Sequence, residues 1–236
     1  YYAPDNAVIA VSGNIGEARA LELVKKWFGD IPPGSLERPA VPQESAQREE
    51  RRLVVEGNEV PADAIYKVFH MGARASAGFY ACDVVSDILS NGQSARLYVN
   101  LMKKRRLFSG IDAYVTGDMD PGLFIFSGKL SEGTDIREAE EAIDEEIAKF
   151  IRDGVTEREV QKVINKTEAR ISYGEINYQN KANNLAFFEF LGEVELINSE
   201  GARYRAVGPD GIRETALDIF RKENSSTLYY LKKEMK

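Results

Sequence analysis

A single histidine, His70, stands among the 236 residues, and it limits the hydrolytic chemistry this chain can perform alone. Ser-His-Asp and Cys-His arrangements both need an imidazole to take the nucleophile's proton, so every such reading rests on His70. It ends an apolar run, FHMGA, with no second ligand or orienting acid beside it. These neighbours support a structural or partly exposed histidine. A hydrolytic zinc normally takes three protein ligands, two of them histidines, and keeps its fourth position open. This chain does not supply that set. Cys82 is the only cysteine, which excludes an internal disulfide and a thiolate metal cluster.

Carboxylates are abundant without forming an evident site. Glu138, Glu140, Glu141, Asp144, Glu145 and Glu146 crowd one stretch, which reads as the solvated acidic face of a helix. Asp118 and Asp120 flank a turn that favours short acidic side chains without any metal, and DMDPGLFIFSGK lacks the alternating ligands and closing Glu of an EF-hand. The formal charge of −7 argues against a general nucleic-acid surface. Lys103-Lys104-Arg105-Arg106 reads as a solvated helix end whose cations suit the dipole. GNIG after the first strand candidate has neither the dinucleotide glycine spacing nor the P-loop Lys-Ser/Thr. From the residues alone no catalytic and no metal-binding group emerges, and the chain reads as a binding or scaffolding domain.

The elements that would position such groups are legible from periodicity. Strands are expected at 7–12, 51–56, 64–71, 108–115, 123–128 and 227–231, where β-branched and aromatic residues cluster between turn formers. The second of these is edge-accessible and the third more buried, and the two read as neighbours. Amphipathic helices are expected at 17–28, 78–89, 95–105, 135–151, from 157 through Ile164, 179–191 and 211–220. Ser94 is a candidate cap for the third, Asp153-Gly154 stops the fourth, and Thr156 with Glu159 forms a capping box for the fifth. Residues 29–47, with Pro32, Pro33, Pro39 and Pro42, read as an extended connector. With 43% hydrophobic residues a packed core is affordable. Strands first, then helices, then a closing strand indicate an α+β two-layer sandwich, a mainly antiparallel sheet covered on one face by helices. No segment approaches the ~20 apolar residues of a membrane span. Residues 1–4 do not read as a signal peptide. The chain reads as soluble, in the periplasm or the cytoplasm.

Several motifs in order resemble the carboxy-terminal half of the M16, pitrilysin-like or insulinase-like, zinc peptidases. They are YYAPDNAVIAVSGNI, WFGDIPPG, LSNGQSARLYVNLMKKRRLFSGIDAYVTGDMDPGLFIFSGKL, TEREVQKVINKTEAR and ETALDIFRKENSSTLYYL. In that family an inverted H-x-x-E-H motif and a distant Glu hold zinc, and the motif Glu is the general base. None of those residues is present here. The resemblance therefore implies that residues 1–236 are one carboxy-terminal-type domain, a fragment of a longer two-domain chain. It would be a non-catalytic wall closing over a peptide held at zinc in the amino-terminal half, with that half or a homologous subunit as partner.

The family also carries in this half an Arg and a Tyr, seven residues apart, that hold substrate. Alignment on Leu101 and Leu107 puts Met102 at the Arg position and Ser109 at the Tyr position. A thioether does not donate to a carbonyl, and a seryl hydroxyl is shorter than a phenol. Two readings stay open. Arg105 or Arg106 with Tyr114 supply the donors from shifted positions, making Arg105, Arg106, Ser109 and Tyr114 the substrate-groove candidates, or this half is purely structural. The helix-end setting of the arginines favours the second. Non-peptidase relatives with structural roles share the fold, so an assembly or peptide-binding subunit is the alternative function.

Overall fold

A computed structural model describes residues 2–34, 42, 44–57 and 60–233. Part of the expected connector, residues 35–41 and 43 with Pro39, lies outside them. The chain forms two compact units. One comprises residues 1–45 and 167–202, the other residues 46–166 and 203–236.

The second unit holds a five-stranded sheet of β1 (Arg51–Gly57), β2 (Ala64–His70), β3 (Phe108–Val115), β4 (Leu123–Leu130) and β5 (Ser225–Lys232), in the order β1-β5-β2-β4-β3. The expected mainly antiparallel sheet is corrected to a mixed one, because β5 runs parallel to β1 and antiparallel to β2. The closing strand enters the middle of the sheet and separates β1 from β2, which short-range reasoning makes neighbours. The residues between Gly57 and Ala64 thus join strands two ladder spacings apart, roughly 10 Å, which a six-residue link can span. Asp63 ties this corner, its carboxylate accepting from the Lys232 amide at 2.6 Å.

Strand alternation sorts the sheet into two faces. On the inner face the paired row Arg52–Thr227–Lys67–Phe126–Ala113 runs across all five strands, followed by Val54–Tyr229–Ile65–Gly128–Ile111. Ile65, Phe69, Phe124 and Phe126 are buried there beneath α2 (Phe79–Ser90), α3 (Ile136–Asp153) and α7 (Pro209–Ile219). The Phe220 ring at the end of α7 lies 5.0 Å from Phe124 and 5.1 Å from Phe69. At Gly128 a Cβ would stand 2.5 Å from the Phe108 ring and 3.1 Å from Ile65. Gly128→Ala is therefore expected to cost about 2 kcal/mol through overpacking. A denaturant midpoint that stays unchanged would contradict this close approach.

α4 (Glu157–Gly174) opens with the expected capping box. The Glu159 amide donates to Thr156 Oγ1 at 3.2 Å, and the Thr156 amide donates to Glu159 Oε2 at 2.9 Å. In the first unit, α1 (Glu17–Phe28) matches its expected bounds but buries no residue. α5 (Tyr178–Phe190) is capped by Asn177, whose side chain accepts from the Gln179 amide at 2.8 Å. α6 (Leu196–Arg205) was not legible, because Asn198, Ser199 and Gly201 are weak helix formers at its centre. Residues 7–12, expected as a strand, belong to no ladder among the described residues and follow a 3-10 turn at Pro4–Asn6.

Candidate functional site

The stretch between Leu97 and Val115 carries all four groove candidates. Where periodicity predicts an α-helix through residue 105, the chain forms a π-helix at Tyr98–Lys104. The Arg105 amide donates to the Asn100 carbonyl at 3.0 Å, the wider turn that defines this helix. It keeps Leu97 and Leu101 fully buried while turning Asn100 onto Glu146 of α3 at 2.7 Å. The residue flanking the π-helix is Leu97 and not Ser94, whose hydroxyl instead accepts from Lys162 at 3.1 Å. Arg105 is drawn to α3, donating to Glu145 at 2.7 Å. Arg106 takes a left-handed conformation, φ 56°, uncommon for a residue with a Cβ. It turns the chain sharply into β3. Met102 is half-buried in the π-helix.

Ser109 is the extra residue of a β-bulge. The register of β3 against β4 shifts between Phe108 and Gly110, and the Ser109 hydroxyl lies 3.2 Å from the Lys129 carbonyl and 3.3 Å from that of Leu130. A small side chain fits this role because the bulge turns it back onto its own neighbour strand. Tyr114 lies five residues on, about 16 Å along the strand, with its side chain on the sheet face away from α3. The four candidates do not converge. Arg105 belongs to the helix layer, Ser109 to the strand corner and Tyr114 to the open face.

That open face is the larger feature. The row Arg51–Ser226–Val68–Ile125–Tyr114 crosses it, and Leu53–Leu228–Tyr66–Ser127–Asp112 runs alongside. Tyr66 is 37% and Tyr114 46% exposed. Apart from Ser226 and Ser127, the central positions of these rows are apolar or aromatic, and their formal charges, Arg51 and Asp112, sit on the two edge strands. Such a surface can hold an extended or unfolded peptide through apolar contact and phenol hydrogen bonds. On the same face Ser226 Oγ and His70 Nε2 each meet the Gln47 side-chain oxygen, at 3.2 and 3.3 Å, and among the described residues no hydrogen bond joins that hydroxyl to that imidazole.

Beneath the sheet lies a charge network that composition alone hides. Lys67, 5% exposed, donates to Glu140 at 3.2 Å and Asp144 at 2.5 Å. Arg52 grips Glu140 with both guanidinium ends, at 2.7 and 3.0 Å, and the Tyr229 hydroxyl donates to the same carboxylate. Burial pushes the Glu140 carboxyl up, but the hydrogen bonds from Arg52 and Tyr229 and the charge of Lys67 outweigh it and hold it at about 2. Glu140 and Glu146 are thus buried partners rather than members of a solvated face, and the expectation for this helix is corrected at both positions. The available signal was Lys67 itself, which shares strand parity with Ile65 and Phe69 and so had to point inward. A buried lysine needs a carboxylate.

The residues present do not fit a zinc ion. His70 is exposed, with Nε2 3.3 Å from the Gln47 side-chain oxygen. Cys82 is buried, and burial pushes its thiol up to about 12, which disfavours the thiolate that binds metal. Among the described residues no three His, Cys, Asp or Glu side chains gather into a metal-holding cluster. No helix of the described residues is long and apolar enough to cross a membrane.

Comparison with known proteins accounts for this pattern. The family model for the Peptidase M16 inactive domain matches residues 1–167. The zinc protease SCO5738 of Streptomyces coelicolor, itself uncharacterized, is 24% identical over 234 residues, covering 95% of this chain and 50% of its own length. This chain thus spans about half of that relative. A protease from Helicobacter pylori superposes with a TM-score of 0.85 at 19% identity, over 93% of this chain and 54% of that one. A chain of complex III from Candida albicans superposes with a TM-score of 0.76 at 12% identity, over 92% and 53%. These last two likenesses are of fold. With the family model covering well over half of its length, the chain belongs to the Peptidase M16 inactive-domain family.

Proposed function

We propose that residues 1–236 are the carboxy-terminal, zinc-free domain of a two-domain metallopeptidase, and that the open sheet face is one wall of its peptide chamber. The observation that carries this reading is the five-strand face centred on Tyr66, Val68, Ile125 and Tyr114, apolar and partly exposed, in a family of zinc proteases. The wall binds and orients; the amino-terminal half would hold the zinc, which would supply Lewis-acid activation of water there. Tyr114 is a substrate contact. Arg105, already paired with Glu145, serves the α3 layer, Arg106 serves the turn, and Ser109 serves the bulge.

The full-length gene product should bind zinc stoichiometrically and cleave a quenched peptide, with loss of cleavage on chelation, while this chain alone should not cleave. In that product Tyr66→Ser with Tyr114→Ser is expected to raise KM about tenfold, consistent with ~1.4 kcal/mol of lost contact, with the melting temperature nearly unchanged. Arg105→Ala with Arg106→Ala should leave kcat/KM within about twofold. A large loss in the arginine variant and none in the tyrosine variant would reverse these assignments.

The substitution of Met102 and Ser109 for the family's Arg and Tyr, with the likeness to a complex III chain, favours a second reading: a non-enzymatic assembly or peptide-binding subunit. It requires a full-length product without zinc that forms a stable complex with a separate homologous chain.

A further inference from the structure

Where β2 stops, a cleft of about 420 Å3 opens between the end of that strand, the start of α2 and the end of α7. All of its lining belongs to the sheet unit, and its volume is that of a small-ligand site. Met71 and Ile219 give it an apolar side. Three polar groups in the lining have hydrogen-bonding capacity left over. The Ser76 hydroxyl is buried without a hydrogen-bond partner among the described residues, a state that native proteins rarely leave unanswered. A Cβ at Gly72 would stand 2.4 Å from that oxygen, so the hydroxyl occupies space that only glycine leaves open.

Asn224 donates both amide protons, to the His70 and Ile219 carbonyls, each at 2.9 Å. This fixes the side chain and leaves its Oδ1 as an acceptor. Arg221 Nε donates to the Asp218 carbonyl at 2.7 Å, and its Nη2 lies 3.4 Å from the Asp218 carboxylate. These two contacts hold the guanidinium and leave Nη1 as a charged donor. A charged donor, a hydroxyl, an amide acceptor and an apolar side match the last residue of a peptide, which brings a carboxylate, an N–H and a side chain. The position suits the same occupant. His70 ends β2 and lines the cleft, and it shares strand parity with Tyr66 and Val68 on the open face. It lies about 13 Å along the strand from Tyr66, a length that about four extended residues cover.

We propose that this cleft receives the free carboxy terminus of a peptide lying on the open face. The carboxylate meets Arg221 and the Ser76 hydroxyl, the terminal N–H donates to Asn224 Oδ1, and the last side chain packs on Met71 and Ile219. This rests on the reading of the open face as a peptide wall. It adds a substrate class to that reading, peptides whose last residue is apolar and unblocked.

N-acetyl-leucine and N-acetyl-leucinamide are the probes, titrated into the full-length product with a chelator present and followed by ligand-observed NMR. The acid should bind with a Kd of about 1 mM and the amide at least ~tenfold more weakly. Arg221→Leu should remove that difference, and Arg221→Lys should keep part of it, because lysine retains the charge without the fork. Gly78→Leu offers a second route. A Cβ at Gly78, in the cleft lining, meets nothing within 4 Å, and its φ of −79° suits any residue. That side chain should fill the cleft and weaken both probes, with the melting temperature unchanged. Equal affinity for acid and amide in the wild type overturns the proposal, and so does an acid preference that survives Arg221→Leu or Gly78→Leu. Acid-selective binding by a product that cleaves no peptide refutes the peptidase reading and leaves the cleft assignment standing; cleavage without any acid preference does the reverse.

Discussion

Glu140→Gln is expected to destabilise the sheet unit by about 3 to 5 kcal/mol at neutral pH, the range for breaking a buried ion pair by removing one partner. The amide keeps the volume but loses the charge that both Lys67 and Arg52 answer. Arg52 tolerates this, since its side chain is half exposed and also pairs with Glu50 at 2.8 Å. Lys67 does not: its side chain is 6% exposed, and its remaining acceptor, Asp144, is half exposed. The loss therefore falls on a desolvated ammonium. The pH dependence follows from the depressed carboxyl of Glu140, about 2 against an ordinary 4.5. Its contribution is complete above pH 4.5 and is lost as pH falls toward 2. Wild-type stability should fall through that window, and the Glu140→Gln variant should fall less. It should not become flat, because Glu159 is also held at about 2: burial raises it, but the Arg96 and Thr156 hydrogen bonds lower it further. Lys67→Met with Glu140→Leu removes both buried charges and should restore most of the loss. Equal stability of Glu140→Gln and wild type at pH 7 would show the network to be solvated.

What was legible in the sequence follows from the range of the forces involved. The α1 bounds, the Thr156–Glu159 box and the stop at Gly154 depend on residues within one or two turns, and each occurs where the residues indicate. The separation of β1 from β2 depends on β5, some 170 residues away, and no local pattern reports it. The π-helix at Tyr98–Lys104 arises where Leu97 and Leu101 go inward while Asn100 and Arg105 reach for Glu146 and Glu145 on α3. That demand comes from the partner helix and not from the segment's own periodicity. The Ser109 bulge likewise needs β4 to define it. The candidate site was legible as ancestry, through ordered motifs, and only weakly as residues. Of the four candidates, Tyr114 alone lies on the open face with Tyr66, and strand parity could have paired those two only once the strand order was known.

Neighbouring residues of β4 should separate folding from binding. Phe124→Ala is expected to cost about 4 kcal/mol, as large aromatic deletions in a close-packed core do. Its ring is fully buried and stands 5.3 Å from Phe126 and 5.0 Å from Phe220, so two neighbouring rings lose a contact at once and the backbone ladder beneath keeps the cavity from collapsing. Phe124→Leu should retain more than half of that stability, since most of the volume stays filled. Ile125 points the other way, paired with Tyr114 on β3 and Val68 on β2. Ile125→Ser should therefore cost under about 1.5 kcal/mol, because the side chain is only partly buried and leaves no closed cavity. If the open face is a peptide wall, the same change in the full-length protein raises KM for an apolar peptide with little effect on kcat, the signature of lost uniform binding. Chemical denaturation and steady-state kinetics on the two variants read these effects independently. An Ile125→Ser protein as unstable as Phe124→Ala would place both residues in a core and leave the chamber without its wall.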